Sequence, residues 1–365
     1  CMERAESAGD LSLLPDMRKI QKRHLNRAGI LGIESLANAS NDSLKKAAKA
    51  TGVTLNGFKK MKLQALSTSA GEPVPRGVFD SPRQACLAVT ERELDLPGEK
   101  DGVVGLDFTD PELVHVHFDM ESNPYFSVEY LFGVMVDEPD DTGKRTEGAA
   151  EFYTAHSLSS DEEYRAFQSF LGRMDELRKK FGDEGFIIFH YAHYEPTHLM
   201  ALAEKYKSRS SDLIDRVDYL KSRMVDLYKV IRNTFYLPVR SYSIKNVVPC
   251  IKKLMEERGL EGGHEWKKIQ SFDELAGELE SSGWSKVEID ESLQEVESVM
   301  KDFQLQEEAQ MFDASADMSV VWYNLYVERR KRVWMKLIEI YNEDDLKATR
   351  ALVNWFLFME TLNKG

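Results

Sequence analysis

Along residues 113–121, LVHVHFDME, apolar and polar positions alternate: Val114, Val116, Phe118 and Met120 face one way, and His115, His117, Asp119 and Glu121 the other. A period of two predicts a strand. Residues 125–136, YFSVEYLFGVMV, and 150–155, AEFYTA, read as two more strands, and the turn-rich stretch 137–148 between them implies antiparallel pairing. Ser160, followed three residues on by Glu163, reads as a capping box opening a helix to about Phe181. GFIIFHY, residues 185–191, is a short apolar run of the kind buried on both faces of a sheet. Beyond it the pattern is almost wholly helical and closes on LKATRALVNWFLFM, with Leu346, Leu352, Trp355, Phe356 and Met359 as its apolar stripe. Three strands, a helix, a strand and then helices predict an α/β sheet layered by helices.

Upstream the pattern changes. Short helical runs are predicted over 42–50 and 56–67, and in LNRAGILGIESLA, residues 25–37, Gly29 and Gly32 bracket apolar Ile30 and Leu31 between two more. Thr51-Gly52-Val53 repeats the short turn. This part resembles a helix-hairpin-helix module, whose glycine turn lets backbone N–H groups approach a phosphate. From Thr68 to about Gly102, Gly71, Pro73, Pro75, Gly77, Pro82, Pro97 and Gly98 mark irregular connecting material. The expected division is a small all-α module over 1–70, a linker over 71–110 and an α/β domain over 111–365.

Charge sharpens the division. Residues 1–70 carry 12 Lys and Arg against 6 Asp and Glu, whereas the whole chain has a net charge of −14, which leaves −20 for the rest. Arg18, Lys19, Lys22, Arg23 and Arg27 crowd one helix of the basic part. Such a footprint suits a polyanion, because each phosphate contact releases condensed counterions; the bland alternative is a solvated helix face. With 42% hydrophobic and 30% charged residues the chain is too apolar for wholesale disorder. No stretch approaches the roughly 20 apolar residues of a spanning helix, which argues against a membrane protein. Three scattered cysteines, Cys1, Cys86 and Cys250, build neither a disulfide framework nor a four-cysteine metal site, so a reducing, cytoplasmic setting is expected. A chain opening with Cys is expected to be a piece of something longer.

The candidate chemistry lies in carboxylates. Asp119 and Glu121 share a strand face with Cα atoms roughly 6 to 7 Å apart, near enough to share a divalent cation. Glu195 follows the apolar strand in HYAHYEPTHL, and Tyr341 and Asp345 of YNEDD are four apart, so they share one helix face. A phenol beside a carboxylate there can orient a water. The histidines around Glu195, His190, His193 and His198, lack the His-Glu-x-x-His arrangement of zinc hydrolases and read better as hydrogen-bonded packing residues. His115 and His117 read as satisfied partners of a covered sheet, Asp226 as a helix start, and Trp322, Tyr323, Tyr326, Trp334 and Met335 as helix core.

Asp-x-Glu on a first strand, an acid after a later strand and Tyr-x-x-x-Asp on a late helix form an order that resembles the DEDDy branch of the DnaQ-like exonucleases, of ribonuclease H-like fold. It most resembles the ribonuclease H-like domain of RecB-family nucleases. The likeness spans roughly 113–360, including YLFGV at 130–134, VDLYKVI at 225–231, SYSIK at 241–245 and YNEDD at 341–345, and extends weakly into 10–66. It implies a ribonuclease H-like mixed sheet flanked by helices, a two-metal 3′–5′ exonuclease of DNA or RNA, and Mg²⁺ or Mn²⁺ held by Asp119, Glu121, Glu195 and Asp345. Tyr341 would position the attacking water, and Glu195 stands where these exonucleases usually have Asp. Arg18, Lys22, Arg23, Arg27, Gly29, Gly32 and Lys245 are the expected contacts to nucleic acid. Asp344 competes with Asp345, and spacing from Tyr341 prefers the latter. The likeness also implies a partner, a RecB-like nuclease domain or helicase preceding this segment, with Cys1 as the last ligand of its iron-sulfur cluster. The alternative from another class is a catalytically weak binding or scaffolding domain of a repair or defence assembly.

Overall fold

In the computed structural model, which describes residues 2–49, 53–90, 92–93, 103–267, 269–305, 307–312 and 315–362, the alternating segment forms strand β1, Val114–Asn123. It pairs antiparallel with β2, Val128–Pro139, which sets Asp119 opposite Gly133 and Glu121 opposite Leu131. On its outer side β2 carries β3, Arg145–Thr146, and β4, Ala150–Thr154. The apolar run forms β5, Phe186–His190, parallel to β1, and β6, Met224–Asp226, follows β5 at the edge of the sheet. The order is β3-β2-β1-β5-β6, with β4 also on β2. This is the α/β sheet layered by helices that the pattern predicts, and it is mixed, as the resemblance implies.

A parallel β1/β5 pair needs a crossover, and the helix Ser160–Phe181 supplies it. Its apolar positions Ala166, Phe167, Phe170, Met174 and Leu177 recur at helical spacing and cover one face of the sheet. Phe170 stacks on Phe118 and Phe132 with ring centroids 4.8 and 5.3 Å away. Truncating such a buried ring costs roughly 3 to 5 kcal/mol. The cap is displaced from the expected one: Ser159 accepts from the Glu162 N–H, and Glu163 turns inward with no exposed surface. Glu163 falls on the helix face of Ala166 and Phe167, where it accepts the Glu129 N–H at 2.8 Å and pairs with Lys205. The other face of β1 meets the helices Ala316–Arg329 and Arg332–Leu362; Trp322, Tyr323 and Trp334 are buried in this core.

The chain divides into two compact units, one of Asp110–Met224 and Trp266–Arg350, which holds the sheet, and one of Cys1–Thr109, Val225–Glu265 and Ala351–Gly365. In the latter, helices Lys19–Arg27, Ile33–Ala37, Asn41–Lys49 and Leu55–Ala70 enclose Leu11, Leu25, Leu36, Leu44 and Phe58. Gly29 adopts φ +82°, a turn that lets the Ile30 N–H return to the Leu25 carbonyl. A Cβ on Gly32 would meet the Gly9 carbonyl oxygen at 3.0 Å. Between residues 71 and 110, where prolines mark irregular chain, Pro75 lies in a strand, Val74–Pro75, paired with Phe235–Tyr236, and Pro82 opens a helix, Pro82–Val89. A missing N–H is harmless at a first helical turn, so proline there starts structure instead of ending it. Cys1, Thr51, Gly52, Pro97 and Gly98 lie outside the described residues. Among the described residues no helix is long and apolar enough to cross a membrane.

Candidate metal centre

Period two along β1 turns Asp119 and Glu121 away from Phe118 toward the helix Arg332–Leu362, which presents Tyr341, Asn342, Asp344 and Asp345. One carboxylate oxygen from each of Asp119, Glu121 and Asp345 lies within 4.8 Å of the others. The approach depends on Gly133, across from Asp119: a Cβ there would sit 1.8 Å from Asn342 Oδ1. Asn342, fully buried, donates from Nδ2 to Asp119 Oδ2 at 2.6 Å. The Ser319 hydroxyl donates to Glu121 Oε2 at 2.8 Å, and the Trp266 indole N–H to Asp345 Oδ1 at 2.9 Å. These donors are neutral, so they orient the carboxylates without cancelling their charge. Three carboxylates this close disfavour joint ionisation unless a cation sits among them, and an all-oxygen donor set suits Mg²⁺ or Mn²⁺.

Asp344 has a different environment. Its Oδ2 accepts the Lys267 backbone N–H at 2.6 Å, and burial pushes its pKa up to about 7. Of the two neighbouring acids it is Asp345 that joins Asp119 and Glu121. Tyr341 shares the helix face of Asp345 and hydrogen-bonds to it. Burial first, then the charges of Asp345, Glu121 and Asp119, raise its pKa far above the ordinary phenol range, so Tyr341 keeps its proton.

The trio does not include the remaining candidates. Glu195, near the start of the helix Tyr194–Tyr206, lies with Oε2 3.2 Å from Nδ1 of His190 at the end of β5, both side chains nearly buried. His198 Nδ1 lies 2.7 Å from Glu129 Oε1 and its ring stacks on Tyr194. His117 is only loosely satisfied: it stacks on Phe189, its Nε2 lies 3.6 Å from Asp137 Oδ2, and among the described residues neither ring nitrogen has a partner within ordinary hydrogen-bond distance. Asp226 caps the helix Leu227–Thr234, accepting the Lys229 N–H at 3.2 Å.

Lys245 and the basic residues belong to the other unit. Lys245 is exposed in the first turn of Ile244–Glu256. Arg18, Arg23 and Arg27 are exposed on or beside Lys19–Arg27, whereas Lys22 pairs with Asp10 at 2.6 Å and holds that carboxyl down at about 2. The Gly29 and Gly32 N–H groups bond to Asn26 O at 3.0 Å and Ser35 Oγ at 2.9 Å.

Four residues around the trio escaped the sequence reading. Asn342 and Gly133 lie inside the noted stretches YNEDD and YLFGV, and a glycine within a strand is itself a sign of close backbone approach. Ser319 and Trp266 carry no comparable local sign.

The model of one protein family, described as the RNase H superfamily, matches residues 116–269 and 248–357, more than half of the chain. The chain belongs to the RNase H superfamily. The matched segments contain Asp119, Glu121, Glu195, Tyr341 and Asp345. Membership indicates a nuclease with a nucleic acid as substrate, and RNase H-like nucleases use divalent metals, for which the acidic trio is a fitting holder. No curated protein and no solved structure matches this RNase H superfamily chain significantly.

Proposed function

We propose that the protein is a metal-dependent 3′–5′ exonuclease of DNA or RNA, with Asp119, Glu121 and Asp345 as the metal-holding carboxylates. The observation that carries the reading is the convergence of these acids from β1 and the helix Arg332–Leu362 on one point. Divalent ions bound there supply an activated water and relief of charge on the leaving oxygen in an in-line displacement. Asn342 fixes the Asp119 carboxylate, Ser319 that of Glu121 and Trp266 that of Asp345, so the three start from set orientations. Tyr341, protonated throughout the neutral range and donating to Asp345, offers its phenol oxygen as an acceptor that orients the attacking water. The exonuclease polarity and a second ion rest on the resemblance to DEDDy enzymes. In that scheme Glu195 is the fourth acid, with Oε2 held by His190 and Oε1 left as the oxygen that would face an ion.

The hold of His190 on Glu195 also favours a second reading, a catalytically weak domain that retains the fold and serves as a scaffold. End-labelled single-stranded DNA and RNA incubated with Mn²⁺ separate the two. The exonuclease shortens 5′-labelled strands progressively, and Asp345→Ala removes the activity. Equal residual cleavage by wild type and Asp345→Ala excludes the enzyme reading. The RecB-like nuclease domain or helicase, proposed here as a partner, is tested by co-purification with the full-length gene product.

A further inference from the structure

The unit of Cys1–Thr109, Val225–Glu265 and Ala351–Gly365 contains a cleft of about 980 Å³ with five cations in its wall, Arg18, Lys60, Arg76, Arg232 and Arg240, against one acid, Asp16. Two of the five are balanced: Arg232 Nη1 lies 2.7 Å from Asp16 Oδ2, and Arg240 pairs with Glu6. Arg18, Lys60 and Arg76 have no carboxylate within ion-pair distance among the described residues. Arg76 is nevertheless fixed in place. Its Nε donates to the Phe235 carbonyl at 2.8 Å, Nη2 to the Tyr242 hydroxyl at 3.3 Å, and its guanidinium lies 4.0 Å over the Tyr236 ring. Tyr242 in turn bonds Gln64 Oε1 at 3.0 Å, and Gln64 Nε2 donates to the Leu237 carbonyl at 2.6 Å.

A protein of net charge −14 that gathers unpaired cations in one concavity, and anchors one of them through neutral acceptors only, holds a positive potential ready for an anion. Several cations in one concave wall can meet successive phosphates of a backbone. Concavity selects the form of the strand, because a single strand follows a cleft whereas a duplex needs an open face or an inserted element. The rings that might have stacked on bases, Tyr236 and Tyr242, are buried and already covered by Arg76 and Arg232, so contact is to phosphate and carries no sequence preference. We propose that this cleft binds the phosphate backbone of a single-stranded nucleic acid. The inference deepens the nuclease reading by naming the strand form of the substrate and where it is gripped.

The test is fluorescence anisotropy with a labelled oligothymidylate of about 20 nucleotides and a duplex of equal length, in EDTA, over roughly 50 to 200 mM salt. Wild type and the cleavage-deficient Asp345→Ala should bind the single strand alike and more tightly than the duplex. Lys60→Glu, at an exposed helix position, and Arg76→Ala should each weaken binding about tenfold, and Arg76→Ala should lower the salt slope by about 0.7. Lys60→Glu, which breaks no internal bond, keeps the test valid should Arg76→Ala fold poorly. Wild-type affinity in Lys60→Glu, or preference for the duplex, overturns the proposal. These outcomes are read without cleavage, so they are independent of whether Asp345→Ala loses nuclease activity.

Discussion

Replacing Gly133 by Ala tests how the metal centre is assembled. The added methyl would fall 1.8 Å from Asn342 Oδ1, 2.9 Å from its Cγ and 3.4 Å from Leu346 Cδ1. Asn342 has no exposed surface, so it cannot swing into solvent, and its amide must leave Asp119 or the helix must lift from β2. Losing a buried hydrogen bond to a charged group costs about 1.5 to 3 kcal/mol, and overpacking adds roughly 1 to 3. The expected loss is therefore about 3 to 6 kcal/mol in urea unfolding followed by tryptophan fluorescence, with weakened Mn²⁺ binding in calorimetry. Asn342→Ala removes the obstacle, so in the double variant the two costs should fall short of additive by about 1 kcal/mol or more. A Gly133→Ala cost below about 1 kcal/mol, or strict additivity, refutes the close-approach argument.

Tyr341→Phe should fold and bind Mn²⁺ like wild type yet cleave about 100-fold more slowly, and an undiminished rate removes the phenol from the mechanism. Asp345→Asn, by relieving repulsion within the trio, should stabilise the metal-free protein by on the order of 1 kcal/mol while abolishing Mn²⁺ binding; destabilisation in EDTA contradicts this. Asp10, with a folded pKa of about 2 below its ordinary 3.8, contributes stability that is present above pH 3.8 and is lost as the pH falls through about 2. Discounted for solvent screening this is about 1 kcal/mol. Lys22→Met should remove the larger part of it, the Ser12 hydrogen bonds keeping the rest, and move the Asp10 carboxyl resonance titration upward; an unmoved titration denies the pair its effect.

The sequence by itself determined the elements and the identity of the acids. The period of two in LVHVHFDME assigns Asp119 and Glu121 to one strand face, and the four-residue spacing of Tyr341 and Asp345 assigns them to one helix face, because both depend only on local backbone geometry. The strands and the layering helices were legible for the same reason, whereas the mixed pairing of the sheet was implied by the family resemblance. Local signals misplaced what depends on neighbours: the cap at Ser160 moved to Ser159 once Glu163 found Glu129 and Lys205 inside, and of the prolines that marked a linker Pro82 starts a helix and Pro75 ends a short strand. Only tertiary structure decided which acids meet. Spacing from Tyr341 already preferred Asp345 to Asp344, but only the packing shows Lys267 taking the one and the trio the other; Glu195, a match by order, lies against His190. Distances between side chains far apart in sequence are set by how closely two elements pack. Here that closeness comes from the absent side chain of Gly133, whose consequence appears only when Asn342 stands against it.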